Sequence, residues 1–541
     1  MPFQPLPIEC ISHIFESFQD NKNLYTCLLV NRFWCRIAIP ILYKTPFTRN
    51  QERNKSQRSK IISTYLSCLS NEEKIHLMKN SNNKILIPLN NNQLFDYPVY
   101  LEEFCNLSLQ DMIIHWIILM IKQDFSIEQR KIFHLINNIL YPLLISKSKN
   151  LLYLNLINVN SNNDNNNNNH FHFDIPDIFT FFAFTPGLTN ITRLDFKLYK
   201  NNSNLLLNII NLFDIIPSLC KNIQLINFNS KLSFNDNDNR ITLRKALCGI
   251  IRNQRDLKKL YLRFKGETLN NIIMPTLELQ SINLTHLYFK KLRLNDDVMD
   301  SLANFLSLKV LGFESCYIIT TSDNQDRYDN NNLITNNSNF QLEKLYLVEN
   351  MSRHMISDIK CLIIRYFSIS LQELILDELN FDIVKIISNF CSKIKRLILL
   401  ATEYESIDLY NLLINLKYLK NLTLWYVNDH TIKVLGNYLP NTLLHLSFIH
   451  FICLPFNDFL KDCNIPLESI EIFNLIMNSN NSNSSDHFKP ISDYIKIHYN
   501  HLKVIYFGKN CDISNEDLEE IKDYVNVKLI DNYDHFPSKF N

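Results

Sequence analysis

The sequence predicts an α/β chain in three parts: a helical module over residues 1–50, a helical stretch over 51–147, and a long stack of strand–helix repeats over 148–541. Three observations lead there. From residue 151 onward a pattern of apolar, two variable, apolar, one variable, apolar recurs about thirteen times. Between the copies, segments such as LNDDVMDSLANFL and NDHTIKVLGNYL carry apolar residues at helical spacing. The first fifty residues hold three short amphipathic runs separated by polar breaks.

Composition bounds the function. The chain has 541 residues and is 46% hydrophobic, enough for a large core. Its 55 Lys and Arg against 54 Asp and Glu leave a net charge of +1. That argues against a general nucleic-acid binder, whose electrostatic footprint is a basic excess. MPFQPLPIEC lacks a charged start followed by an apolar run, so no signal peptide is expected. MIIHWIILMI, the longest apolar stretch, has ten residues and a His inside it, against the roughly 20 that a membrane span needs. An intracellular setting, cytoplasm or nucleus, follows as the expectation, with no membrane partner. The Asn-x-Thr sequences at Asn190, Asn283 and Asn421 would suit a secreted repeat protein, but they stand without a signal peptide and arise easily in Asn-rich sequence.

Thirteen cysteines, an odd number with no Cys-x-x-Cys, fit buried reduced thiols better than a disulfide framework. Cys10, Cys27 and Cys35 cluster near the start but match no zinc spacing. The six glycines lie far apart, so no GxGxxG, GxxxxGK or GxSxG can be written. No carboxylate pair or nucleophile stands out. The sequence therefore predicts no enzyme, no metal and no cofactor. The Asn runs at 162–169 and 330–337 read as solvated loops, with His170 and His172 beside the first.

In the front module, Pro7 suits a first helical turn, where its missing N–H costs nothing. Ile8, Ile11, Phe15 and Phe18 then repeat at spacings of three and four, with Ile14 beside them. Leu24, Cys27 and Leu28 mark a second helix; Phe33, Trp34, Ile37 and Ala38 mark a third, which Pro40 is expected to end at Ile39. Three short helices cannot hide all of these residues from one another. Leu6, Ile11, Leu29 and Val30 are surplus, which points either to a partner or to packing on the rest of the chain.

LPIECISHIFESF followed by NLYTCLLVNRFWCRIAIPILY resembles the F-box motif. The usual pattern is Leu-Pro-x-Glu, an Ile-Phe pair, a Leu, then Leu-Val-Asn/Cys-Arg-x-Trp and a final Leu-Tyr/Trp. Leu6, Pro7, Glu9, Ile14, Phe15, Leu24, Leu29, Val30, Asn31, Arg32, Trp34, Leu42 and Tyr43 fall on it. Cys10, where Leu is commoner, and Phe18, for the usual Leu, depart from it but keep apolar character. The resemblance implies docking on the Skp adaptor, and through it a cullin, in a ubiquitin ligase. Leu6, Pro7, Ile11, Leu29 and Val30 would line that contact, with Trp34 in the bundle core.

The repeats begin at Leu151, Ile191, Ile223, Leu257, Leu284, Leu308, Leu342, Leu371, Ile394, Leu419, Leu443, Leu467 and Leu502. Several separations fall at 23–29 residues, inside the leucine-rich-repeat range of about 20–29. The longer gaps mostly hold polar or Asn-rich insertions, as at 322–338 and 478–486. The array, about two-thirds of the chain, is similar to a leucine-rich-repeat solenoid: parallel strands on the concave face, helices on the convex face. Cys316 and Asn350 fall on the polar ladder position that such repeats often carry. An F-box followed by leucine-rich repeats implies a substrate receptor, the repeats capturing a protein for ubiquitination; the alternative is a repeat scaffold outside any ligase.

Variable residues between the inward ones face solvent. Lys259, Tyr261, Arg263, His286, Tyr288, Lys290, Lys291, Lys344 and Tyr346 suggest a basic, aromatic patch across copies four to seven. Such a patch would grip an acidic or phosphorylated segment of an unknown protein target. Trp425 and Tyr426 form a separate candidate anchor.

Overall fold

The computed structural model describes residues 6–18, 21–47, 55–81, 85, 87–89, 93–121, 127–158, 186–198, 203–231, 237–268, 273–295, 297–319, 341–349, 357–400, 405–427, 429–452, 459–460, 462–463, 465–476, 485–509, 511, 513 and 515–530. Both Asn runs, His170, His172 and Asn350 lie outside them. The chain forms two compact units: residues 1–265 with 271–280, and residues 266–270 with 281–541.

The first unit opens with three helices, α1 (Ile8–Glu16), α2 (Asn21–Leu28) and α3 (Arg32–Lys44). Pro7 sits one position before the first turn, its carbonyl accepting from the Cys10 and Ile11 amides. Asn31 caps α3: its side chain accepts a 2.8 Å bond from the Trp34 amide, one of the donors a helix start leaves open. The core holds Ile11, Phe15, Leu24, Cys27, Ile37, Ala38 and Leu42, and Trp34 packs edge-on to Phe15 at 5.2 Å. Pro40 does not end α3. The helix runs through it to Lys44 because Ile37, Ala38, Ile39 and Leu42 are all buried, and that packing outweighs the one hydrogen bond proline removes.

Next come α4 (Lys55–Ser67), α5 (Asn71–Asn80), α6 (Asn106–Ile121) and α7 (Ile127–Lys147). Within this stretch lies a strand the sequence pattern does not announce, β1 (Glu103–Cys105), parallel to β2 (Tyr153–Asn158). Three residues are too few to show a period. Phe104 is fully buried between Phe47 and Tyr141, which holds the strand in place. The Asn106 side chain then clamps it to β2, accepting from the Ile157 amide at 2.8 Å and donating to its carbonyl at 3.0 Å. From β2 the sheet continues in parallel register through β3 (Arg193–Leu198), β4 (Leu225–Ser230) and β5 (Lys259–Thr268).

The second unit carries β6 (His286–Asn295), β7 (Val310–Glu314), β8 (Tyr317–Ile319), β9 (Lys344–Val348), β10 (Glu373–Leu376), β11 (Arg396–Leu399), β12 (Asn421–Tyr426), β13 (His445–Ile452), β14 (Ser469–Ile476), β15 (Val504–Gly508) and β16 (Asn526–Ile530). All pair in parallel: β8 beside β6, the rest in chain order from β6 to β16. Among the described residues, helices stand between most successive strands, an arrangement similar to a leucine-rich-repeat stack.

The thirteen copies read from the sequence are β2–β7 and β9–β15. Their three inward residues are at most 2% exposed in every copy. Helices cover this face: Phe213 lies 4.4 Å from Phe196 and 6.0 Å from Phe228, and in the second unit Phe459 meets Phe448 at 5.8 Å. The ladder role of Cys316 is visible too, its thiol donating to the Phe289 carbonyl of the preceding copy. β16 has no such triplet and adds a largely exposed strand after the last copy.

Where helices turn back into strands, buried glutamines hold successive copies together. Gln254 donates to the Cys220 and Ile250 carbonyls at 2.9 Å and accepts from the Ile223 amide at 2.9 Å. Gln280 donates to the Gln254 carbonyl at 2.9 Å. Gln254→Leu leaves buried backbone groups without partners, each costing about 1–3 kcal/mol. The expected loss in urea unfolding is about 3 kcal/mol, against under about 0.5 kcal/mol for an exposed control substitution.

Candidate interaction surfaces

The front module answers the question its surplus residues pose. The C-terminal half of α3 and the residues just after it pack on their own chain: Tyr43 meets Tyr97 at 4.6 Å, and Phe47 meets Tyr65 at 5.9 Å. Lys44 adds ion pairs to Glu16 at 3.1 Å and Glu102 at 3.5 Å. Ile11, counted as surplus, is core at 8% exposure, because it shares the inner stripe of α1 with Phe15. Leu6, Pro7 and Val30 stay exposed, and Leu29 is 87% exposed in the turn between α2 and α3. Ile8, Ile14 and Phe33 add to the uncovered apolar surface.

The other face of the repeat strands carries the residues that alternate with the inward ones. On it, the third and fifth residues of each copy form two rows across the strands. Copy four belongs to the first unit, where Lys259, Tyr261 and Arg263 are half-buried on β5. Burial pushes the Tyr261 phenol up to about 12, with Arg193 opposing and Asp195 adding to the shift. Two strands away the Asp195 carboxylate is fully engaged: Arg193 donates to both its oxygens, and the Tyr153 hydroxyl donates to it at 2.7 Å.

Copies five to seven belong to the second unit, and there the expected basic patch is largely neutralised. Lys290 pairs with Glu314, and the Tyr288 hydroxyl donates to the same carboxylate at 2.7 Å. Lys344 pairs with Glu373 at 2.7 Å. Tyr288 and Tyr346 pack edge to face and are nearly buried. Gly312 allows this: a Cβ there would lie 2.1 Å from the Tyr288 ring. Acids on neighbouring strands in the same rows consume the cations, which a copy-by-copy reading does not show. Trp425 shares the phase of Asn421 and Thr423 and meets His450 edge-on at 5.0 Å. Tyr426 is one residue out of phase, so the two do not form one anchor on this face.

A shallow polar hollow of about 230 Å³ lies further along the second unit, on β11–β15. In-register neighbours line it: Arg396, Asn421, His445 and Ser469 in one row, Thr423, Ser447, Glu471 and Tyr506 in the next. His445 Nδ1 bonds the Ser469 hydroxyl at 2.8 Å, and the Ser447 hydroxyl donates to Glu471 at 2.6 Å. On the rim, Lys503 pairs with Glu468 at 2.8 Å and holds that carboxyl below its usual range. The sequence signal for this hollow was legible as columns down successive copies rather than along any one copy.

No family model matches the chain, and no curated protein matches it. Among solved structures it is similar to the crystal structure of an internalin from Listeria monocytogenes. That likeness is at 14% identity, covers 72% of this chain and 83% of the other, and has a TM-score of 0.24. At that score it carries no argument. The strand-and-helix repeat rests on the strand pairing and the buried triplets themselves. Among the described residues, no helix is long and apolar enough to cross a membrane, and no group of three or more His, Cys, Asp or Glu could hold a metal ion.

One buried cation ties copies seven and eight together. Lys360, 1% exposed, lies 3.7 Å from Glu349, 3.0 Å from Asp377 and 2.8 Å from Glu378. Burial alone would push its pKa down; the three carboxylates together outweigh that and hold it above the ordinary 10.5. A raised cation stabilises the fold fully below 10.5, and that contribution fades as pH climbs through the folded-state value. Lys360→Met strands the carboxylates and is expected to cost about 3–5 kcal/mol near neutral pH. Denaturant titrations of both proteins should show the wild-type advantage shrinking above pH 10.5.

Proposed function

We propose that this chain is an interaction protein that joins an adaptor at its front module to a protein target on its repeat face, as the substrate-recognition subunit of a Skp–cullin–F-box ubiquitin ligase. The observation that carries the reading is the exposed apolar surface at Leu6, Pro7, Leu29 and Val30 on a module whose own core is complete without them. Those positions fall on the F-box pattern, and an uncovered apolar surface on a small helical bundle suits a protein partner. The repeat face, with its rows of polar and aromatic side chains, suits a protein target. We propose no catalytic step for the chain itself. The second reading, a repeat scaffold outside any ligase, is favoured by the packing of the end of α3 on its own chain through Tyr43 and Lys44.

Co-expression with a Skp adaptor and affinity capture separates the two. Wild type should retain the adaptor. Leu29→Asp with Val30→Asp should lose it by tenfold or more while unfolding at the same urea concentration, since both side chains are already in water. Retention of the adaptor by the double variant, or no capture by folded wild type, leaves the scaffold reading in place.

A further inference from the structure

The polar hollow on β11–β15 is divided by charge. At its β11 side stands Arg396. Its Nε is buried without a hydrogen-bond partner, and its nearest acid, Glu373, is 3.9 Å away and already held by Lys344 at 2.7 Å. Towards the β14 side stands Glu471, which accepts one bond, from Ser447, and has no cation paired with it among the described residues. Between them, Asn421, Thr423 and His445 offer polar groups on the intervening strands. Lys503 and Glu468 on the rim satisfy one another. The hollow thus keeps one under-used positive group and one under-used negative group, set apart across three strand spacings.

We infer that this hollow takes an extended polypeptide segment crossing the strands, with an acidic side chain against Arg396 and a basic side chain against Glu471. Three spacings of about 4.8 Å across the strands, and the two-residue offset of about 6.6 Å along them between the rows, set the two positions about 16 Å apart. An extended chain advances about 3.4 Å per residue, so four residues cover about 14 Å and side-chain reach spans the remaining gap of about 2 Å; residues four apart point to the same side. The ligand class is therefore a protein segment carrying opposite charges at i and i+4, in either chain direction, with small polar residues between them to meet Asn421, Thr423 and His445. The near-balance of charge around the hollow disfavours a dianionic phosphate, which would face the unpaired Glu471 with Arg396 as its one uncommitted cation among the described residues of the hollow. This inference rests on the reading of the repeat face as the target-binding surface and names the target's chemistry.

The test uses the full chain and labelled nine-residue peptides of Ser and Thr carrying one Glu and one Lys, followed by fluorescence anisotropy. Glu and Lys four apart should bind at least tenfold tighter than the same pair two apart, or than Glu with Glu or Lys with Lys. Arg396→Glu should erase the preference, and Arg396→Glu combined with Glu471→Lys should restore it. Circular dichroism confirms that the variants are folded, and Arg396→Gln, with a smaller loss, guards against a purely steric effect. Equal binding of all spacings, no binding at millimolar peptide, or a preference that survives Arg396→Glu overturns the inference. Adaptor capture through Leu29 and Val30 is measured on the same proteins; if it persists while the peptides fail, only the assignment of this hollow falls.

Discussion

A short strand backed by a short helix leaves its apolar side open at both ends until another copy stacks against it. Everything else in the repeat region follows from that constraint. Each strand turns three apolar side chains inward, and none can be shielded by its own helix alone. Stacking in parallel register places Leu374, Leu397, Leu422 and Leu446 side by side as one row of fully buried residues. The same register sets the opposite face, because side chains alternate along a strand. Residues that share a row on that face are neighbours whatever their separation in sequence.

That forced adjacency explains why charges on the open face have to be read in rows. Lys290 reads as a free cation in its own copy, yet the next strand supplies Glu314. Lys344 likewise meets Glu373 from the next strand. These partly buried pairs remove the cations from any electrostatic grip on a ligand. In the polar hollow, Arg396 and Glu471 keep spare bonding capacity, because the Glu373 beside Arg396 is already held by Lys344 and Glu471 is flanked in register by Ser447 and Tyr506.

Backbone groups at the junctions of copies form a second account to be balanced. A parallel stack leaves carbonyls and amides exposed where helices end, and burying them without partners is expensive. Gln254 and Gln280 satisfy these groups in the first unit, Cys316 does so in the second, and Asn106 performs the same service between β1 and β2. Thiol and carboxamide side chains both serve this purpose here.

By itself the sequence determined the strands of all thirteen copies and the three-helix front module, because burying one face imposes a period that survives in the order of residues. The apolar faces that carry Phe15 and Ile37 into the core belong to the same class, because each is set by spacing along its own helix. Tertiary structure alone decided the rest. Helix α3 passes Pro40 because residues distant in sequence bury its far end; β1 exists because Phe47 and Tyr141 enclose Phe104; Ile11 goes inside while Leu29 stays in water. Which cations remain available was likewise fixed by strand register, since an acid some 24 to 29 residues away in sequence becomes the next residue in the row. Periodicity reports what a residue's own element requires, whereas partnership across elements is set only when the elements meet.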